Sequence, residues 1–592
     1  MSTTFFAFFL DTPNFSGKLT RTLVNEYRLL WFPAPMSNPL FDNLKLEKAE
    51  HTLFGGILFG VEGRQIELQA RFFGAPKPPP YWDIGITGMA GGAVREVHGR
   101  ITGAFAKYGL RPPCGSILIN LAPAGLPKYG TSLDLPIAII SLQAAGYIPD
   151  FPPELEATHF FMGELSLHGE IRRINGALPI ALGAKPSSLL IVPASNEQEC
   201  RLVRGLPGHG STRIAIADNL EQVLNYFQGK GKLRNAMADA PNYQGIVAPA
   251  PDFAEIKGQE RAKRAMVIAA AGGHNVLMVG PPGEGKSLLA SALRGILPPL
   301  SNAEKIELTR IYSAKGLLTE DGMVVTHRPF RSVHHTASKQ ALVGGGSGIP
   351  EPGEITLAHR GILFLDELAE FSRPTLECLR QPIETGAIVV ARVDASLNFP
   401  AEFTLVAAMN PCPCGYLGQF ICQNCLGFTY DEKAGCTRCG KLDVRSRCDC
   451  TPPKVKSYRK KISGPILDRI DLNVDIKPLS VEEKFGTELR DSSKTLRERI
   501  RKAREIQNNR FGENGIACNA TIPGGEITKW CDFHPGAFER YKRIIAEGTF
   551  STRATDRMAK VSRTIADLEG SPRIEESHVL EAGSFISGSP LG

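Results

Sequence analysis

At 592 residues the chain is several times the roughly 100–200 residues of one domain, so about two to four domains are expected. With 42% hydrophobic and 22% charged residues it falls among ordinary globular proteins, which excludes the disordered and fibrous classes. A net charge of +7 is spread thinly and permits an anionic partner such as nucleic acid without demanding one. No run of about 18 apolar residues occurs, so no membrane span is expected. The opening MSTTFFAFFLDTPNF has neither a basic start nor a small-residue cleavage site, which speaks against a secretory signal and for the cytoplasm.

In chain order, residues 1–50 carry no sustained period and read as a poorly ordered extension, with Met36 a second candidate start. Residues 51–228 alternate short β-rich runs (GILFGVEG, SILINLAP, SLLIVPA) with helical stretches such as 91–108, the pattern of an α/β domain. Residues 229–250 mix Gly, Pro, Ala and charge without periodicity, as a linker does. A second α/β block fills 251–478, and 479–592 is largely helical, with 494–510 and 554–569 its clearest helices.

The second block carries the nucleotide chemistry. The strand-like NVLMVG runs into Gly280, Pro281, Pro282, Gly283, Glu284, Gly285, Lys286 and Ser287, which open the helix LLASALRGIL. Strand, glycine-rich loop and helix in that order form a phosphate cradle. Backbone N–H groups and the helix N-terminus face the phosphates, Lys286 reaches the outer ones, and Ser287 ligates Mg²⁺. Downstream, the apolar run GILFL ends in Asp366, placed to hold Mg²⁺, and Glu367, placed to polarise the attacking water. A third strand, 403–409, ends at Asn410, whose amide suits orienting that water. ATP and Mg²⁺ are the cofactors these motifs call for.

Of the 13 cysteines, eight lie in close pairs between Cys412 and Cys450, which in a reducing compartment reads as metal ligation before disulfides. The inner set, Cys422, Cys425, Cys436 and Cys439, has zinc-ribbon spacing, favouring Zn²⁺ over an iron–sulfur cluster. The outer pairs, Cys412 with Cys414 and Cys448 with Cys450, either bind a second zinc or pack together. His334 and His335 lack a partner at ligand spacing and read as loop packing.

Taken together, GPPGEGKS, GGHNVLMVG, RGILFLDELAEF, AAMNPCPCG and SGPILDRIDL resemble the YifB/ComM branch of the magnesium-chelatase-like AAA+ ATPases, over almost everything from Leu53 to Ala582. The resemblance implies a multidomain α/β fold: a Lon-protease-like N-terminal domain, an AAA+ P-loop core with a zinc-ribbon-like insertion at 412–450, and a helical C-terminal lid. It also implies assembly as a homo-hexamer. In LDRID it puts the arginine finger at Arg469, offered to a neighbour's ATP. In STRATDR it puts the second sensor at Arg553, reaching the same-subunit phosphate, with Arg557 the fallback. The helix-two insert falls within 312–353 and the pre-sensor hairpin within 386–400, both facing a central pore. There Arg392 either contacts a phosphate backbone or simply faces solvent. In the N-terminal domain Ser132 lies near the protease nucleophile's place, yet 163–183 offers no lysine to activate it, so the domain reads as an inactive protease fold.

The function implied is a DNA helicase or branch-migration motor acting in natural transformation or recombination, with recombination proteins as further partners. The competing reading is a magnesium-chelatase-like motor subunit that remodels a partner protein. A non-enzymatic scaffold fits poorly with Glu367, Asn410 and Arg469 all present.

Overall fold

The computed structural model describes residues 50–151, 159–237, 250–318, 324–346, 348–392, 396–426, 428–429, 436, 439–479, 483, 491–548 and 550–587. Except for Glu50, the extension expected at 1–50 lies outside the described residues. Alternating apolar and polar positions make Glu50–Phe59 and Glu62–Gly74 a long antiparallel hairpin, with Leu53, Ile57, Ile66 and Leu68 fully buried. The hairpin sits within an eight-stranded sheet ordered Arg234–Asn235, Arg213–Ala217, Leu189–Pro193, His159–Phe161, Glu50–Phe59, Glu62–Gly74, Gly115–Ala122, Ile84–Thr87.

Helices Val97–Lys107 and Asp134–Ala144 cover one face of this sheet. Arg234–Asn235 falls inside the stretch read as a linker, but its backbone pairs with Ile216 and Ala215 and extends the sheet by an edge strand. Two residues without an apolar pattern leave no sequence signal for such a strand.

The second block is built on a five-stranded parallel sheet ordered Phe330–Val333, Ile362–Leu365, Thr404–Met409, Val276–Val279, Leu472–Asp475. The runs ILFL and VLMV are wholly buried because both faces of the sheet are covered. Helices Glu260–Gly272, Lys286–Ile296, Ser493–Phe511 and Thr552–Glu569 pack on one face. Leu289, Leu293 and Ile296 of the second helix are fully buried there, each worth about 1.5–3 kcal/mol relative to exposure. This is a mixed α/β fold with a parallel-sheet core, consistent with a P-loop AAA+ type fold.

Two buried polar seams join the parts. His274, fully buried, bonds Asp471 at 3.2 Å and Thr564 at 2.8 Å, tying the C-terminal helices to the sheet. Helix Asn302–Ala314 docks on the N-terminal sheet's second face: Ser313 donates to the buried Glu199 carboxylate, and Gly176 N–H donates to the Ser313 carbonyl at 2.9 Å. Breaking such a seam leaves a buried polar group unpaired, at about 1–3 kcal/mol. Among the described residues no helix is long and apolar enough to cross a membrane.

Candidate nucleotide site

The carboxyl ends of the parallel strands gather the residues that the motifs predict. Val276–Val279 delivers Gly280, whose N–H donates to the Met409 carbonyl at 3.2 Å, so the loop starts beside the strand that ends at Asn410. Gly283 and Gly285 hold φ of +81° and +84°, where a side chain would strain the turn. They curl the loop onto the N-terminus of helix Lys286–Ile296. The Lys286 ammonium donates to the carbonyls of Gly280 (2.7 Å) and Pro281 (2.8 Å) and to Asn410 Oδ1 (3.2 Å). Burial lowers its pKa below the ordinary lysine value, partly offset by Asp366, Glu284 and Glu367. An anionic phosphate would favour the charged form and replace the carbonyls.

Ser287 Oγ donates to Asp366 Oδ2 at 2.8 Å. A hydroxyl and a carboxylate this close, next to a phosphate cradle, fit Mg²⁺, which is held by few protein oxygens together with substrate phosphates. Glu367 follows with φ of +52°, a left-handed turn uncommon for a non-glycine residue. His335, two residues past the end of Phe330–Val333, pairs with Glu367 through Nδ1 and Oε2 at 3.0 Å. The loop-packing reading of His335 missed this contact, because only strand adjacency brings positions 335 and 367 together. His334 instead bonds Thr336 at 2.9 Å and lies against the His335 ring, 4.1 Å between centroids. If His335 orients Glu367, His335→Ala lowers turnover about 10-fold with KM for ATP unchanged. Steady-state kinetics check this, and an unaltered kcat would show the contact to be idle.

Arg469 and Arg553 are brought together, but away from their own phosphate loop. Both guanidiniums bind one oxygen of Glu384, at 2.8 and 2.7 Å. Chiefly the Arg469 hydrogen bond holds the Glu384 carboxyl below the usual range. The Arg469 carbonyl accepts from the side chain of Asn275, the residue before Val276–Val279 begins, whereas the phosphate loop starts where that strand ends. Four residues of strand, about 13 Å, lie between. Arg553, expected at the same-subunit phosphate, bonds Glu384 beside Arg469 in this structure. Arg557, the fallback, is spent on the carbonyls of Leu467 (3.3 Å) and Ile470.

The segment read as a hairpin forms strands Ala387–Ala391 and Ser396–Pro400. Arg392 leaves it exposed, its guanidinium against Gly345 of the GGGSG loop: a Cβ on Gly345 would lie 2.9 Å from Arg392 Nη2. The two segments expected at a pore thus meet.

The eight cysteines separate into two groups, each with its sulfurs within 4.8 Å of one another: Cys412, Cys414, Cys448, Cys450 and Cys422, Cys425, Cys436, Cys439. Either group could hold a metal ion. The inner group hangs on a three-stranded sheet of Phe428–Thr429, Phe420–Cys422 and Val444–Ser446.

In the N-terminal domain the Ser132 hydroxyl is buried and donates to the Gly56 carbonyl at 2.8 Å. Lys128, earlier in the same loop, is also buried. Its ammonium binds the carbonyls of Gly88 (2.8 Å), Leu121 (3.0 Å) and Pro123. It is thus committed to carbonyl oxygens.

Profiles of known families match along most of the chain. "Magnesium chelatase, subunit ChlI" matches 252–434 and 432–484. "Subunit ChlI of Mg-chelatase" matches 80–196, and "Magnesium chelatase, subunit ChlI C-terminal" matches 490–585. The protein YifB of Salmonella typhimurium is 39% identical over 508 residues, covering 84% of this chain and 90% of that one. Competence protein ComM of Haemophilus influenzae is 38% identical over 511 residues, with 84% and 90% covered. The magnesium-chelatase 38 kDa subunit of Cereibacter sphaeroides is 31% identical over 175 residues, only 27% of this chain and 52% of its own.

Proposed function

This chain belongs to the YifB/ComM family of magnesium-chelatase-like proteins, and on that premise we propose that it is a ring-forming AAA+ ATPase that moves DNA. The observation that carries the ATPase part is the convergence of Lys286, Ser287, Asp366, Glu367 and Asn410 at one edge of the parallel sheet. Lys286 and the loop amides bind the phosphates, and Ser287 and Asp366 hold Mg²⁺. Mg²⁺, when bound, offsets phosphate charge. Glu367 accepts the proton of the attacking water, and Asn410 orients that water beside the γ-phosphate.

Hydrolysis drives a homo-hexamer in the cytoplasm, on this reading. The sheet of Glu50–Asn235 is an inactive Lon-protease-like domain, and helices from Ser493 to Ser587 form the lid. Zn²⁺ is held by Cys422, Cys425, Cys436 and Cys439, whose all-thiolate donor set suits it. Exposed Arg392 beside the GGGSG loop supports DNA as the cargo, in keeping with the likeness to a competence protein, with recombination proteins as further partners on this reading. A chelatase-like role on a partner protein is the second reading: the pairwise likeness to the magnesium-chelatase 38 kDa subunit spans 27% of the chain, against 84% for ComM.

The test is DNA binding by ATP-loaded wild type and Arg392→Ala. Binding is expected to show little sequence preference, and DNA to stimulate hydrolysis. Affinity should fall with salt at a slope of about 0.9 per neutralised phosphate, and Arg392→Ala should reduce that slope by about one. Assembled rings that neither bind nor respond to branched, duplex or single-stranded DNA at low salt would overturn the DNA reading and leave the ATPase reading standing.

A further inference from the structure

We infer that Cys412, Cys414, Cys448 and Cys450 hold a thiophilic divalent ion that staples the stem bearing Asn410, so that occupancy of this site sets the rate of ATP hydrolysis without setting ATP affinity. The inference rests on the ATPase reading above. Asn410 ends strand Thr404–Met409, and the chain then makes a long excursion that returns through helix Pro452–Arg459. Cys412 and Cys414 lie on the outgoing stem of that excursion, while Cys448 and Cys450 lie on the returning one. The inner cysteines come further along the excursion, with Cys422 on its own small sheet.

The donor set fits such an ion. Sulfur separations are 3.3 Å for Cys412–Cys414, 3.6 Å for Cys412–Cys448 and 3.5 Å for Cys414–Cys448. Four thiolates at about 2.3 Å from zinc would stand about 3.8 Å apart. Cys412 is fully buried, and all four cysteines are free of disulfides.

The same turn rests on the nucleotide loop. Gly415 N–H donates to the Cys412 carbonyl at 3.0 Å. Gly415 itself, at φ +85°, comes so close to Pro282 that a Cβ would lie 2.8 Å from its Cδ and 3.9 Å from Asn410 Cγ. From the returning stem, Arg459 Nε donates to the Pro411 carbonyl at 3.4 Å. Lys286 already bonds the Asn410 amide, and the two arms pair farther out through Phe420–Cys422 and Val444–Ser446; ion–thiolate bonds would tie the stems at the base itself, next to Asn410. The phosphate loop has its own strand and helix, so ATP binding does not need the staple. A metal on the inner group is ligated farther along the chain from Asn410, beyond the outer cysteines.

The experiment compares the full-length wild type with Cys448→Ser, Cys448→His and the inner double variant Cys436→Ser/Cys439→Ser. Metal content and affinity for a fluorescent ATP analogue are read before turnover. Wild type should carry one ion for each of the two sulfur groups. Cys448→Ser should lose one ion and slow turnover about 10-fold or more, with nucleotide affinity within about 3-fold of wild type. Cys448→His restores a ligand and should restore both ion and turnover. The inner variant should lose its ion and keep the wild-type rate.

Full turnover in a Cys448→Ser protein shown to lack that ion would overturn the proposal. So would equal slowing by the inner variant, or loss of ATP affinity together with turnover, which marks simple unfolding of the loop. A wild type that binds no ATP would instead sink the ATPase reading.

Discussion

Glu367→Gln will bind ATP about as tightly as the wild type and turn it over at least about 10²-fold more slowly, the scale of a lost general base. The amide keeps the shape of the side chain and its approach to His335, so the left-handed turn at Glu367 is unstrained by the exchange. What disappears is the carboxylate that accepts a proton from water. Lys286→Ala should behave differently, losing ATP binding itself, because its ammonium is turned into the loop's own carbonyls and Asn410. Equilibrium binding of a fluorescent nucleotide and a phosphate-release assay separate the two. Near-normal release by Glu367→Gln would remove it from the role of base.

Arg469→Ala and Arg553→Ala should each cost about 10³-fold in hydrolysis while retaining ATP binding, the low end of what an arginine finger contributes. Their shared anchorage on Glu384, at the sheet edge opposite the phosphate loop, makes both candidates for a neighbour's nucleotide. Mixed rings decide it. A Glu367→Gln subunit has a dead site yet offers both arginines; an arginine-deficient subunit has a sound site and offers one fewer. Combining them should recover part of the activity for Arg469→Ala and equally for Arg553→Ala. Were Arg553 to serve its own subunit's ATP, its mixtures would stay inactive while those with Arg469→Ala recovered. Failure of both in demonstrably mixed rings would remove the in-trans role altogether.

The chemistry at the carboxyl edge could be read before any fold was known because each part is local. A strand, a glycine turn with positive φ and a helix N-terminus are contiguous at 276–296, and Asp366, Glu367 and Asn410 each directly follow an apolar run. Strand ends in one parallel sheet must lie side by side, so three such motifs in one block imply one site. The helices at 493–511 and 552–569 were legible for the same reason, since their periodicity is carried by consecutive residues, while the hairpin at 387–400 is expected from the family resemblance.

Contacts between segments far apart in sequence were not legible. Nothing near position 335 signals Glu367, and nothing in STRATDR says which edge of the sheet its helix reaches. That edge follows from how Thr552–Glu569 packs beside Glu260–Gly272 and from the His274 seam. The cysteine spacing could name two ligand sets but not the place of the outer one across the base of the Asn410 excursion, because a spacing has no position until the stems are paired. By itself, then, the sequence determined the residues of the phosphate cradle, the acidic pair and the family. The tertiary structure alone decided which side chains share a carboxylate, which edge of the sheet the arginines occupy and which cysteines touch the loop, since each of those depends on packing between elements rather than on the period within one.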